Sequence, residues 1–306
     1  MKVAVLVPCY NEATTIAQVV RDFGRALPAA DIYVYDNNSK DGTAEIAKEA
    51  GAIVRTEKRQ GKGNVVRRMF ADIEADVYLM VDGDATYDAA SAHKAVDAVS
   101  DGHDMVNVAR KDTAEAAYRR GHRFGNALLT GLVSFFFGRQ TTDMLSGYKA
   151  FSRRFVKSFP AISPGFEIET ELMVHALELR VPIFEFSAPY AERPEGSESK
   201  LSTYKDGAKI LAMIASFIKN EKPLAFFSAF SAGTAAIALA LGVPVIFEFL
   251  QTGLVPRLPT ALLAASIGLI SVLLLFTGMI LDTVTLSRRE AKRLAYLQLP
   301  SPGRSE

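Results

Sequence analysis

The chain has 306 residues, enough for two domains or one large one. Its 35 Lys and Arg balance 34 Asp and Glu to a formal charge of +1, which argues against a generic nucleic-acid binder. One cysteine, Cys9, excludes an intramolecular disulfide and a Cys-rich zinc site, and His93, His103, His122 and His175 show no metal-ligand spacing.

The N-terminal part reads as alternating strands and helices. Val3–Val7 is a continuous apolar run, as expected of a strand buried on both faces. It runs straight into Pro8 and polar residues, so it does not read as a secretory signal, and this part is expected to stay in the cytoplasm. Asn11–Leu27 reads as a helix with Ile16, Val19, Val20 and Phe23 on one face. Asp31–Tyr35 is the second strand, and Ser39 or Asp41 would N-cap a helix running to Ala50. Ala52–Arg55 is a short third strand, Lys62–Ile73 a helix and Val77–Val81 a fourth buried strand. Tyr87–Val99 reads as a helix and Met105–Val108 as a strand again. This order predicts an α/β fold whose mostly parallel sheet is covered by helices on both faces.

The C-terminal part differs in character. From Leu224 to Leu281 only Glu248 and Arg257 are charged, so the mean hydropathy of +0.13 averages two unlike regions. The apolar runs 224–246 and 260–281 would each be about 33 Å long as helices, enough for a bilayer core of about 30 Å. Buried core helices are the alternative, but neither run keeps an amphipathic face. The connector Phe247–Pro259 is short and holds Gly253, Pro256 and Pro259, so a two-helix transmembrane hairpin is expected. Arg288, Arg289, Lys292 and Arg293 follow it, which places both ends of the hairpin on the cytoplasmic side. The expected organisation is a cytoplasmic α/β domain over 1–203, an amphipathic juxtamembrane helix over 204–222, the hairpin over 223–282 and a basic cytoplasmic tail over 283–306.

In open α/β sheets, ligands bind at the carboxyl ends of the strands. Three predicted strands end in polar clusters: Pro8-Cys9-Tyr10-Asn11-Glu12, Asp36-Asn37-Asn38-Ser39-Lys40-Asp41-Gly42-Thr43 and Asp82-Gly83-Asp84. The glycine pattern of a dinucleotide-binding turn and the G-x-x-x-x-G-K-[ST] phosphate loop are both missing, which removes classical NAD binding and P-loop NTPase activity. Asp82 and Asp84, at i and i+2 on a fraying strand end, can aim two carboxylates at one point. Hard oxygen ligands suit Mg or Mn, which can bridge a diphosphate. A simple Asp-Gly turn is the plainer reading of the same residues.

These motifs, with Gly61-Lys62-Gly63-Asn64, resemble in order and approximate spacing the successive motifs of family-2 glycosyltransferases with the GT-A fold. Asp143-Met144-Leu145-Ser146-Gly147-Tyr148-Lys149 and the stretch from Arg193 through Ser199-Lys200-Leu201 are similar to acceptor-side motifs of polyprenyl-phosphate glycosyltransferases, the dolichol-phosphate mannose synthase-like branch. The resemblance covers about residues 1–220. The hairpin resembles that of bacterial members that glycosylate undecaprenyl phosphate.

The resemblance implies a Rossmann-like GT-A catalytic domain and a role for each motif. Pro8, Tyr10, Glu12, Asp36 and Asn38 would hold the nucleotide sugar, with Asp36 accepting hydrogen bonds from ribose or base. Asp82, Gly83 and Asp84 would form the diphosphate site, with Asp82 and Asp84 ligating Mg or Mn. Thr86 stands where several relatives carry a Gln that helps hold the metal; Asp88 is a substitute candidate, with helix N-capping as its alternative role. Lys62 and Arg67 would contact the diphosphate, or else form a solvated helix face. Asp84, Asp143, Lys149, Arg193 and Lys200 are the implied catalytic residues. Arg119, Arg123, Ser146, Lys149, Arg193, Ser199 and Lys200 would bind the acceptor phosphate, in a stretch to which Arg120 adds charge. Glu167 and Glu169 would face the sugar or the metal, or complement a helix N-terminus.

A phosphate monoester, with a second pKa of about 6, is largely dianionic at neutral pH. Such a nucleophile needs cations and in-line geometry more than a general base. Asp143 is therefore read as an organiser that orients a Lys or Arg or shapes the acceptor pocket. Arg119–Arg139 and Tyr204–Lys222 read as amphipathic helices lying in the membrane interface, with packing against the sheet as the alternative.

A processive polysaccharide synthase would need a Q-x-x-R-W motif, which a chain without tryptophan lacks. A transferase acting on another lipid, such as diacylglycerol, is disfavoured by the Ser-Lys-Leu motif after Arg193. An inactive membrane scaffold that binds nucleotide sugar is disfavoured by the intact Asp pair. The expectation is a multi-pass membrane hexosyltransferase of the bacterial inner membrane, metal-dependent and inverting. It would take a UDP- or GDP-hexose as donor and polyprenyl (undecaprenyl or dolichyl) phosphate as acceptor, giving a β-linked product from an α-linked donor. Its partners would be the lipid bilayer and no nucleic acid, with a homo-oligomer left open.

Overall fold

The computed structural model describes residues 1–112, 131, 141–165, 167–191, 216 and 219–303. They fall into two compact units, Met1–Ile210 with Lys292–Glu306, and Leu211–Ala291.

The first unit is built on a seven-stranded sheet in the order β3-β2-β1-β4-β6-β5-β7. The strands are β1 (Val3–Cys9), β2 (Asp31–Asp36), β3 (Ile53–Thr56), β4 (Val77–Met80), β5 (Met105–Asp112), β6 (Lys149–Ser152) and β7 (Ile183–Tyr190). β1 pairs in parallel with β2 and β4, β2 with β3, and β5 with β7. β6 alone runs antiparallel, between β4 and β5. Its first residue, Lys149, pairs with Met80, so the chain before β6 arrives at the edge where β1, β2 and β4 end. The sheet is thus mostly parallel, as the element order predicts, with one antiparallel strand that four residues of sequence do not announce.

Helices α1 (Ile16–Ala26), α2 (Thr43–Glu49), α3 (Lys62–Asp72), α4 (Ala92–Ser100), α5 (Arg153–Ser158) and α6 (Ile168–Leu179) belong to the same unit. Ala4, Val5, Leu6 and Val7 of β1 are fully buried, which explains their continuous apolar run. Ile16, Val19, Val20 and Phe23 of α1 are buried against the same core. Burial of each such side chain stabilises the fold by about 1.5–3 kcal/mol.

Two helices start later than expected. α1 begins at Ile16, because Asn11 sits at a φ of 52° and the segment after it docks on a neighbouring loop. α2 begins at Thr43, after Gly42 at a φ of 85°, a left-handed position that glycine adopts without strain. The expected helix from Tyr87 opens instead as a 3-10 turn, Ala89–Ser91, that leads into α4. At the opposite edge of the sheet, Asp104 accepts from Arg154 Nε and Nη2, each at 2.6 Å, and from Tyr296 Oη at 2.7 Å. Lys292 Nζ donates to Glu178 at 2.7 Å.

The second unit centres on two helices, α7 (Pro223–Thr252) and α8 (Leu258–Leu297), α8 running on into the first unit from Lys292. Both are long and apolar enough to cross a membrane, and only 11% and 17% of their most apolar windows are buried. Among the described residues nothing covers these runs as a soluble core would cover its helices. Small residues line the contact between the helices. A Cβ on Gly242 would lie 3.5 Å from Ala264 Cβ, and one on Gly278 would lie 3.0 Å from Phe227 Cβ. Ser231 and Ser271 each donate a hydroxyl to the other's carbonyl at 2.9 Å. Glu248 and Arg257, the two charges of the apolar span, pair at 3.3 Å. Glu221 takes Arg288 at 2.7 Å and Arg289 at 3.1 Å.

The helices exceed the apolar runs at both ends. α7 continues through Pro244 to Thr252, which shortens the connector to 253–257, and α8 carries the expected tail as helix as far as Leu297. Hydropathy marks what lipid tolerates, whereas backbone hydrogen bonding sets where a helix stops.

Candidate active site

The loops after β1, β2 and β4 are tied to one another by side chains bonding to backbone. Asn11 N donates to Ser39 Oγ at 2.8 Å, and Asn11 Oδ1 accepts from Lys40 N at 2.9 Å. Glu12 N donates to Thr43 Oγ1 at 2.9 Å and Ala13 N to Asp41 Oδ2 at 3.0 Å. Thr15 Oγ1 donates to the Gly83 carbonyl at 2.7 Å, joining the first loop to the Asp pair. Asn37 reaches the other way, donating to the carbonyls of Glu57 and Arg59, both at 2.8 Å, and accepting from Gly61 N at 2.7 Å. Gly83 is needed here, since a Cβ on it would lie 2.6 Å from Cys9 Sγ.

Within this frame the donor-side candidates take different places. Pro8 lies in β1 opposite Tyr35, and Tyr10 and Glu12 are half-buried just beyond it. Asn38 donates to the Lys58 carbonyl at 2.9 Å, so its amide builds the loop. Asp36 is buried at the end of β2; its Oδ2 accepts from Ser39 N at 3.1 Å, and its Oδ1 has no hydrogen-bond partner among the described residues. Asp84 is buried, and its Oδ1 accepts from Thr86 Oγ1 at 2.6 Å. Thr86 thus positions an aspartate. Asp88 caps the 3-10 turn, accepting from Ala90 N at 3.1 Å and Ser91 Oγ at 2.8 Å, the contacts of its N-capping alternative.

Lys62, the first residue of α3, places its ammonium 2.5 Å from both Asp82 Oδ1 and Glu169 Oε1. It is not part of a solvated face. Burial alone would lower the Lys62 pKa, but the two carboxylates override it and hold it above its ordinary value. The loop that carries Lys62 packs tightly on 163–165. A Cβ on Gly61 or Gly63 would collide with the carbonyl of Pro164 or Ser163, and Gly63 N donates to the Gly165 carbonyl at 3.1 Å. Arg67 donates to Asn64 Oδ1 at 2.6 Å. Glu169 and Glu171 stand in the first turn of α6, where negative charge complements the helix dipole.

The chain before β6 is held by buried charge. Arg110 grips Asp143 with Nε at 2.7 Å and Nη2 at 2.8 Å. Desolvation pushes the Asp143 pKa up, but hydrogen bonds and charge from Arg110 outweigh it and hold the carboxyl below its usual range. A carboxylate so engaged is a weak base, which fits the organiser reading. Asn107 and Glu185 clamp the same loop: Asn107 Nδ2 donates to the Asp143 carbonyl at 2.9 Å, and Glu185 Oε1 accepts from Thr142 N at 2.9 Å. Gly147 lies against Asp82, where a Cβ would strike the carboxylate, and its N donates to Tyr87 Oη at 2.8 Å.

Ser146 and Lys149 depart from their expected role at the acceptor phosphate. Both side chains are fully buried. Ser146 Oγ donates to the Val108 carbonyl at 2.6 Å, and Lys149 Nζ donates to the carbonyls of Met144 and Ser146. They brace the turn into β6 from inside, since buried carbonyls need donors. Burial lowers the Lys149 pKa from 10.5 to about 8, against the opposing pull of Glu169 and Asp143. Arg119, Arg120, Arg123, Arg193, Ser199 and Lys200 lie outside the described residues, as do most of the two expected amphipathic helices.

Among the described residues no three His, Cys, Asp or Glu side chains converge on one point. Asp82 and Asp84 are nonetheless a donor set that fits a divalent cation. Mg in particular is usually held by one or two carboxylates plus substrate phosphates.

The family profile described as glycosyl transferase family 2 matches residues 4–159. The chain belongs to that family. Among its glycosyltransferase relatives, Glycosyltransferase AglJ of Haloferax volcanii is 35% identical over 97% of this chain and 98% of its own length. Dolichyl-phosphate hexose transferase of the same organism is 29% identical over 72% of this chain and 95% of its own. Glucosyl-3-phosphoglycerate synthase from Mycobacterium tuberculosis, solved with Mn2+ and UDP-glucose, superposes with a TM-score of 0.59 at 22% identity. That superposition covers 71% of this chain and 78% of the synthase, and it speaks for the GT-A fold alone. In this glycosyltransferase, Arg110, Asn107 and Glu185 are site-building residues that sequence reasoning missed, and Thr86 was noticed only as the replacement for a Gln.

Proposed function

We propose that this glycosyltransferase is a membrane-attached, metal-dependent, inverting enzyme that moves one hexose from a nucleotide sugar to polyprenyl phosphate. The observation that carries the reading is the pairing of two unlike acidic features at one sheet edge. Asp36 Oδ1 is buried without a hydrogen-bond partner among the described residues, and Asp82 and Asp84 follow the strand two places along. An orphaned carboxylate oxygen costs about 1–3 kcal/mol or more unless a ligand hydroxyl or N–H meets it. A ribose or base would do so, and its diphosphate would then reach the Asp pair.

In the reaction an acceptor phosphate oxygen bonds to the anomeric carbon as the bond from that carbon to the donor diphosphate breaks. The leaving group departs as the nucleoside diphosphate, and a single displacement inverts the centre. A divalent cation on Asp82 and Asp84 would stabilise the charge that develops on the departing diphosphate. Lys62 supplies a second positive charge beside Asp82. Arg110, fixed by Asp143, places a guanidinium beside the chain that leads into β6, and Arg119, Arg123, Arg193, Ser199 and Lys200 are proposed to complete the phosphate site. Ser146 and Lys149 shape it from beneath. The dolichyl-phosphate relative and the two apolar helices support a polyprenyl acceptor met at the cytoplasmic face of a membrane.

The test uses purified full-length protein in nanodiscs with Mg or Mn. Nucleoside diphosphate release is followed with UDP-glucose, UDP-galactose, UDP-N-acetylglucosamine and GDP-mannose, each with polyprenyl phosphate or diacylglycerol. Release with one donor that depends on polyprenyl phosphate supports the reading. Release that depends on diacylglycerol, or none with any pair, sinks it.

A further inference from the structure

Lys62 is bound on both sides by carboxylates from separate elements, Asp82 after β4 and Glu169 in the first turn of α6, each 2.5 Å from its ammonium. The Lys62 and Glu169 side chains are only 8% and 9% exposed, so the pair is part of the wall, while Asp82 at 28% opens towards solvent. Three amides at the start of α3 are already engaged. Gly63 N donates to Gly165 O at 3.1 Å, Asn64 N to Gly61 O at 3.0 Å, and Val65 N to Gly61 O at 3.3 Å. The helix end therefore offers an incoming diphosphate chiefly the Lys62 ammonium. A divalent cation approaching Asp82 meets that ammonium at the same carboxylate, and like charges at contact distance repel.

We propose that Lys62 is an internal cation that competes with the divalent cation for Asp82 and passes to the donor diphosphate, with Glu169 as its pivot. Resting on the donor reading above, this makes metal and nucleotide bind cooperatively. Metal alone must dislodge the ammonium from Asp82 and leave it with Glu169, with no new partner gained in exchange. With the nucleoside diphosphate present, the phosphate oxygens receive it and also supply ligands that two aspartates cannot. Glu169 is a positioning residue: it keeps the ammonium within reach of both partners.

The experiment titrates Mn2+ into full-length protein, reading free Mn2+ by electron paramagnetic resonance, with and without saturating UDP or GDP. Wild type should bind Mn2+ at least tenfold tighter with the matching nucleotide. Lys62→Gln, which keeps a hydrogen-bond donor but not the charge, should bind Mn2+ alone about tenfold tighter than wild type. Its nucleotide enhancement should shrink to about twofold. If that variant does not fold, the double variant Lys62→Met with Glu169→Gln reads the same quantity, and it leaves the local net charge unchanged. Mn2+ affinity without nucleotide that is unaltered or weaker in a folded variant overturns the proposal. An undiminished nucleotide enhancement does so equally. Absence of Mn2+ binding by wild type even with nucleotide overturns the donor reading, and this proposal with it.

Discussion

The donor and acceptor halves of the site are held together by different physics. On the donor side, the loops after β1, β2 and β4 are fastened by many neutral or singly charged bonds from side chain to backbone, several of them near solvent. On the acceptor side, the chain before β6 hangs on a few charged groups, buried or half-buried: Arg110 on Asp143, Glu185 on the Thr142 backbone, and Lys149 on two carbonyls. Distributed bonds of about 1 kcal/mol each let a loop adapt to a ligand, whereas a buried ion pair holds one geometry and fails sharply when one partner is lost. In the proposed reaction the donor site would close around a nucleotide, whereas the acceptor site would keep its cations aimed while a lipid phosphate arrives.

Breaking the chemistry without the scaffold is the largest expected effect. Asp84→Asn should cost about 100-fold or more in turnover, with an unchanged circular dichroism spectrum, because it removes charge from the diphosphate site. Breaking the acceptor scaffold comes next. Arg110→Ala strands the buried Asp143 carboxylate and should cost about 3–5 kcal/mol in a urea melt. The donor scaffold should lose less per residue. Asn37→Ala removes three bonds that pin 57–61, and about 1–3 kcal/mol is expected, with a raised KM for the nucleotide sugar.

Lys149 sharpens the contrast through pH. Its folded pKa of about 8 lies below its ordinary 10.5, so between those values the unfolded chain keeps a proton that the folded one sheds. Stability from this group therefore rises with pH across that window. Measured against Lys149→Met, wild type should gain ground from pH 8 to pH 10.5; a flat difference would show that the ammonium is not buried as described. The smallest effect belongs to the hairpin. Ser231→Ala should weaken helix pairing by about 0.6 kcal/mol, read by steric-trap unfolding in bilayers.

Much of this was legible in the residues because the signals are local. The run Val3–Val7, the buried stripe of α1 and the polar ends of β1, β2 and β4 each announce themselves within a few positions. The Asp pair could be read for the same reason. What escaped was non-local or too short. β6 is four residues long and takes its direction from pairing with β4 and β5, which no periodicity encodes. Arg110 is one basic residue on a strand, and its partner lies 33 positions away. Lys149 and Ser146 sit in a motif that resembles acceptor sites, and only burial reveals that they face inward. Asn11 and Gly42 were the available clues to the late helix starts, since both residue types favour the left-handed backbone they adopt.

The most direct test of the central claim is transfer itself. Protein in nanodiscs is given polyprenyl phosphate, Mg or Mn and a nucleotide sugar labelled in the hexose, and the organic phase is analysed. The account predicts one labelled hexose per lipid, joined through phosphate in the β configuration. Label should vanish when the metal is chelated, and should fall to near background in Asp84→Asn. A labelled lipid without phosphate linkage, a polymer, or transfer undiminished in Asp84→Asn would contradict it.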